Sequence, residues 1–321
     1  MKTPKYWLGI ALMGVVQLAA VAQPGLNPDR DPGDHSLLEL GSTHSNLKRG
    51  VDHHLVGPAT ASVAAAASKP HLTYYGGPVI QKVRIYKVLY GSTGTYQSFV
   101  TATAAPSVAS FLTYLPTSAY FAWLTEYNTT SPAQTIGFGS YGGSFSISPA
   151  SSRNGSTITD SQIQAEISSQ IGAGHLPASD NNTIYMMFFP KGKRISQGGS
   201  GSCVAGGFCA YHSTFRRNGQ YVFYGVFPDM SAGSGCDSGC GNGSAFGNQT
   251  SVASHELIEA VTDPAVGVAT VFGPPLGWYD GNNGEIGDIC NAQQGSIVLN
   301  ALTYTVQKEW SNQKAACIVN K

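Results

Sequence analysis

The chain has 321 residues, 42% of them hydrophobic and only 11% charged, with 18 Lys and Arg against 18 Asp and Glu. That length and apolar content suffice for one large domain with a buried core, or two small ones. A formal net charge of zero and no basic stripe that would focus phosphates give no sign of a polyanion-binding surface, so no nucleic-acid partner is expected.

At the N-terminus, Lys2 and Lys5 supply a positive n-region, Trp7 to Ala20 a short apolar stretch, and Ala20-Val21-Ala22 a small-x-small cleavage pattern. This predicts a signal peptide over residues 1–22. The apolar run is shorter than the ~20 residues of a bilayer span, so a secreted protein without a membrane span after cleavage is expected. Residues 23–70 mix Pro, Asp, His and Gly before the Ala-rich run Ala59 to Ala67. They read as a low-complexity leader or pro-segment, and residues 71–321 as the folded domain.

Within that domain, Val79 to Tyr90 has a period-two pattern that only Lys87 interrupts, and predicts a strand. Ser107 to Tyr127 predicts a helix broken near Pro116. Thr159-Asp160-Ser161-Gln162 is a capping-box signature ahead of Ile163, Ile167 and Ile171, and Gly172 ends that helix. Thr183 to Phe189 and Gln220 to Phe227 predict buried strands. A Gly/Ser/Cys loop from Met230 to Asn248 leads into a further helix, and Ser296 to Val306 predicts a hairpin. Strands and helices alternate without repeats, which predicts a single α/β (α+β) domain with a mixed sheet and packed helices.

Six cysteines, an even number in an exported chain, predict disulfides that staple loops. Closeness in sequence favours Cys203–Cys209 and Cys236–Cys240, leaving Cys290–Cys317. Sequons stand at Asn128, Asn154, Asn181, Asn242 and Asn248.

The stretch from Ser251 to Pro264 carries the chemistry. His255 and Glu259 stand four apart, so one helical turn presents both to one cation, as in H-E-x-x-H metallopeptidases but with Glu in the second ligand position. Glu256 sits where such zincin-like helices place the general base. Six carboxylates and a histidine concentrate between residues 255 and 288 in a chain otherwise poor in charge. A catalytic zinc needs a third protein ligand and an open position. Gly284-Glu285-Ile286-Gly287-Asp288-Ile289-Cys290 offers Glu285 as third ligand, with Asp288 as an alternative ligand or an orienting partner. His212 is a further candidate, as ligand or as a hydrogen-bond donor to the transition state, and Gly277 to Asp280 as a wall of the site. Zinc is the expected ion and calcium the lesser alternative.

Several blocks in order resemble the exordium or phosphate-induced protein 1 family of secreted, wall-associated proteins. They are Leu72-Thr73-Tyr74-Tyr75-Gly76-Gly77-Pro78-Val79, Tyr90-Gly91, Tyr211-His212, Cys236 to Cys240, His255-Glu256-Leu257-Ile258-Glu259-Ala260 with Thr262-Asp263-Pro264, Trp278-Tyr279 and Glu285 to Cys290. Asp263 stands where plant members tend to have Asn, and the blocks are more closely spaced, as in a divergent relative. The resemblance implies an extracellular or cell-wall-associated protein and does not itself imply catalysis.

Three functions follow as expectations. The first is a secreted zinc-dependent hydrolase, most plausibly a metallopeptidase acting as a monomer on peptide or wall-matrix substrates. The second is a non-catalytic matrix protein with a structural metal site. The third acts on carbohydrate, either binding it through Trp278, Tyr279 and Trp310 or hydrolysing it with Glu256 and Glu285 as an inverting pair.

Overall fold

Residues 69–321 are described in this computed structural model. The expected signal peptide, and the leader up to residue 68, lie outside them. Strands β1 (Arg84–Tyr90), β2 (Ser140–Ile147), β3 (Thr183–Phe188), β4 (Tyr211–Arg217) and β5 (Gln220–Phe227) form one sheet in the order β4-β5-β3-β1-β2. The last four run parallel, while β4 is an antiparallel edge strand paired with β5. Asn218 and Gly219, both at positive φ, make the two-residue turn between β4 and β5, the backbone twist that Asn-Gly supplies at least cost.

Because β1, β3 and β5 have neighbours on both sides and helices over both faces, they are buried almost throughout, as parallel strands must be. Even Lys87 is buried; its ammonium donates to the Val100 carbonyl at 2.6 Å, and burial lowers its pKa to about 8. The strand expected over Val79 to Tyr90 is limited to β1. Helix α1 (Val108–Tyr114), capped by Ser107, gives way at Pro116 to short turns of 3₁₀ and α-helix ending at Tyr127. Helix α2 (Asp160–Gly172) starts at the expected capping box and packs Ile163, Ile167 and Ile171 on one face of the sheet.

Helix α3 (Ala245–Thr262), capped by the Ser244 hydroxyl, lies on the opposite face and begins inside the segment read as a loop. The hairpin of β6 (Gln294–Leu299) and β7 (Leu302–Gln307) packs on it; Thr250 Oγ1 donates to Thr305 O at 2.7 Å, and Gln307 N donates to Ser254 Oγ at 3.0 Å. Sandwiched between sheet and hairpin, α3 is buried from Gly247 to Thr262, so its polar residues have no solvent to turn to. Asn248 is among them, which makes its sequon inaccessible in the fold. Asp263 ends the helix, and Pro264 cannot continue it. Thr73–Tyr74 pairs with Trp278–Tyr279, so the Tyr-Gly-Gly-Pro block and the Trp-Tyr block meet.

Three disulfides form, and among the described residues no cysteine is free. Cys290–Cys317 is as expected, but the other two are Cys203–Cys236 and Cys209–Cys240 rather than the sequence-adjacent pairs. Cys236 opens the one-turn helix Cys236–Gly239 and Cys240 follows it, so both sulfurs face the same side, toward the segment carrying Cys203 and Cys209. Among the described residues no helix is long and apolar enough to cross a membrane. Cys290–Cys317 ties the loop after Glu285 to strand β9 (Ala316–Ile318), which pairs with β8 (Glu309–Ser311). Replacing both cysteines by Ala is expected to cost about 3–4 kcal/mol from the entropy of the 27-residue separation, read as a lower denaturant midpoint.

Candidate metal centre

His212 reaches the site from the edge strand β4, Glu256 and Glu259 from one turn of α3, and Glu285 from the loop before Cys290. On β4 the alternation of a strand sends Tyr211 and Phe215 to the α2 side, which leaves His212 facing α3. Its Nδ1 lies 3.3 Å from Glu256 Oε2 and 3.5 Å from Glu259 Oε2, and its Nε2 lies 3.4 Å from Glu285 Oε1. His255 Nε2 lies 2.8 Å from Glu259 Oε1. All five side chains are at most 3% exposed.

Two groups of donor atoms result, each within 4.8 Å: His212 with Glu259 and Glu285, and His255 with Glu256 and Glu259. Of the expected ligands, His255 and Glu259 thus share a face, whereas Glu285 joins Glu259 through His212. Asp288 is in neither group. Its backbone N–H donates to Glu259 Oε1 at 3.0 Å, and its carboxylate accepts from Glu285 N at 3.0 Å. It thus touches the Glu259 carboxylate and the Glu285 backbone. Cys209, Cys236 and Cys240 also crowd together, but their sulfurs are committed to disulfides.

Burial dominates the electrostatics. It pushes Glu256, Glu285 and Glu309 above the usual carboxylate range and Asp263 up to about 8. Burial also disfavours the charged imidazoles, but Glu285, Glu256 and Glu259 outweigh it at His212, and Glu259 raises His255 to about 10. Against its own burial, Glu259 is held below the carboxylate range by His255 and His212. Uncompensated carboxyls in such a place are costly unless a cation or proton shares them. Neither oxygen of Glu285 has a hydrogen-bond partner, and neither do Asp263 Oδ2 or Glu309 Oε2. The donor chemistry therefore fits a divalent cation. Imidazole with carboxylates suits zinc-type ions, while a calcium site of six to eight oxygens has no use for the two imidazoles.

Glu309, Asp263 and Gln307 are parts of the site that sequence reasoning missed. Gln307 bridges the Gly287 carbonyl, at 2.9 Å, and His255 Nδ1; it also lines a cavity of about 20 Å³ beside α3. No motif flags Glu309, which enters from β8, a strand buried at all three positions. Tyr279 borders the acids as part of the expected wall, and they push its hydroxyl further up than burial alone does. It is buried, as is Trp310, so neither ring is a sugar-stacking surface. The His212 imidazole stands between Glu256 and Glu285, filling the gap an inverting glycosidase needs for water.

Gly287 is required by close approach: a Cβ there would collide with the His255 ring and stand 2.9 Å from Glu259 Oε1. Gly287→Ala is expected to cost about 1–3 kcal/mol by overpacking and to weaken cation binding, measured by thermal melts and equilibrium dialysis. Unchanged values for both would show that this loop does not press on the site. Compared with protein-family models, with curated proteins and with solved structures, the chain matches none.

Proposed function

We propose that this chain is an exported, zinc-dependent hydrolase of metallopeptidase type, its cation held by His212, Glu259 and Glu285 and its water activated by Glu256. The observation that carries the reading is the meeting of donors from a strand, a helix and a loop within 4.8 Å, with both oxygens of Glu285 lacking hydrogen-bond partners. The ordered blocks that resemble the exordium family, together with the three disulfides, support an extracellular or wall-associated setting.

Three protein ligands leave one coordination position of a tetrahedral ion for water or substrate. A zinc-type ion held by these residues would supply polarisation of a scissile carbonyl and a water acidic enough to lose its proton near neutral pH. Glu256, 3.3 Å from His212 Nδ1, is placed to take that proton. His255 and the Asp288 N–H hold Glu259 in position. The segment from Gly284 to Asp288 lies against His255 and Glu259, so a peptide or matrix substrate enters only when it moves.

Elemental analysis and peptide-library hydrolysis of the purified protein test the proposal. Wild type is expected to carry zinc and cleave, while Glu256→Gln keeps the zinc held by His212, Glu259 and Glu285 and loses about 10²–10⁴-fold in rate. A second reading, a closed structural centre in a non-catalytic matrix protein, is favoured by the near-complete burial of every donor. Under it, chelation lowers Tm but neither variant turns over any substrate.

A further inference from the structure

We propose that the cluster holds a second divalent cation, in the donor group of His255, Glu256 and Glu259, with Glu259 bridging the two ions. The proposal rests on the first centre at His212, Glu259 and Glu285 and extends it to a two-cation site.

The two oxygens of Glu259 face opposite ways: Oε2 lies 3.5 Å from His212 Nδ1, and Oε1 lies 2.8 Å from His255 Nε2. Each imidazole thus defines its own side, and each side completes a separate donor group. A carboxylate presenting one oxygen to each side suits two ions about 3.5–4 Å apart, the spacing of two-metal hydrolytic sites.

Buried carboxylate oxygens without a hydrogen-bond partner occur in the cluster. Both oxygens of Glu285 are such, Oε1 having only its ion pair with His212 at 3.4 Å. On the His255 side, Glu309 comes from β8, at 0% exposure; its Oε1 accepts from the Tyr120 hydroxyl at 2.9 Å, and its Oε2 has no hydrogen-bond partner.

Charge points the same way. Glu256, Glu259, Asp263, Glu285 and Glu309 are five carboxyls, each at most 3% exposed, and the ion pairs formed by Glu256, Glu259 and Glu285 run to His212 and His255. Five buried carboxyls outnumber the two imidazoles that can pair with them, and a cation in each donor group would share the excess. Glu256, between the imidazoles, then holds the second ion through one oxygen and keeps the other toward His212.

The test is a metal count on the purified full-length secreted protein, stripped with chelator, reloaded with Mn²⁺ and desalted. Wild type is expected to bind two Mn²⁺ per chain with an exchange-coupled EPR spectrum, and His255→Gln and Glu285→Gln one each with an isolated-ion spectrum. One ion in wild type, lost in Glu285→Gln and kept in His255→Gln, overturns the second site and leaves the first standing. Two ions without exchange coupling overturn the bridge. No ion at all removes both readings. Should a variant fail to fold, the wild-type count and its EPR spectrum decide by themselves.

Discussion

Zinc added in excess to chelator-treated protein is expected to raise its Tm by about 8–16 °C. A ligand that binds only the native state stabilises by RT ln(1 + [L]/Kd), about 4 kcal/mol at a thousandfold excess over Kd. In a domain of this size each kcal/mol moves Tm by about 2–4 °C. The donors come from β4, α3 and the loop before Cys290, so the unfolded chain cannot present them together and the whole binding energy counts toward folding. Glu285→Gln, which removes a buried carboxylate whose oxygens have no hydrogen-bond partner, should abolish most of the gain. Differential scanning fluorimetry with zinc and with EDTA measures both. Identical melts in the two conditions would remove the cation from the account.

Without a cation, the protein is expected to lose stability as pH rises from 5 to 8. In the unfolded chain Asp263 releases its proton near pH 3.9, whereas in the fold burial keeps it protonated up to about 8. The Gly277 N–H donates to one of its oxygens at 2.7 Å and with His212 favours the ionised form, while Glu259 opposes it. Between those pH values the folded state binds more protons than the unfolded one, so stability falls with pH, by about 1.4 kcal/mol per pH unit for one such group. Glu285 and Glu309, raised by their own burial, act in the same direction. Asp263 alone then costs about 4 kcal/mol over this window, and Tm should drop by about 8–16 °C or more. A bound cation displaces these protons, so the zinc-induced gain should grow with pH. Chelated protein whose Tm stays flat or climbs over the same range would contradict the protonated-acid description of the site.

Much of the local structure was legible in the residues. Thr159 and Gln162 start α2 by a side-chain cap whose chemistry is confined to four residues. Asp263-Pro264 stops α3 because proline cannot continue a helix. The hairpin was visible in its alternation. By contrast β4 was missed, although Asn218-Gly219 is the strongest short hairpin signal. Missing it concealed why His212 faces α3. Strand β2, Gly- and Ser-rich at the sheet edge, has half its side chains in solvent and no apolar run to betray it.

By itself, the sequence determined which side chains share a turn: His255, Glu256 and Glu259 are set by a 3.6-residue period that operates over a few positions. It likewise determined the cap at Thr159, the central strands and the even cysteine count. Only the tertiary structure decided that Glu285 joins Glu259 through His212 rather than through His255, and that Cys236 and Cys240 reach back to Cys203 and Cys209. It also brought Glu309 and Gln307 to the same point from the far side. Strand order and the packing of the hairpin over α3 choose these partners by burying apolar surface distant in the chain, a choice that leaves no local periodicity to read.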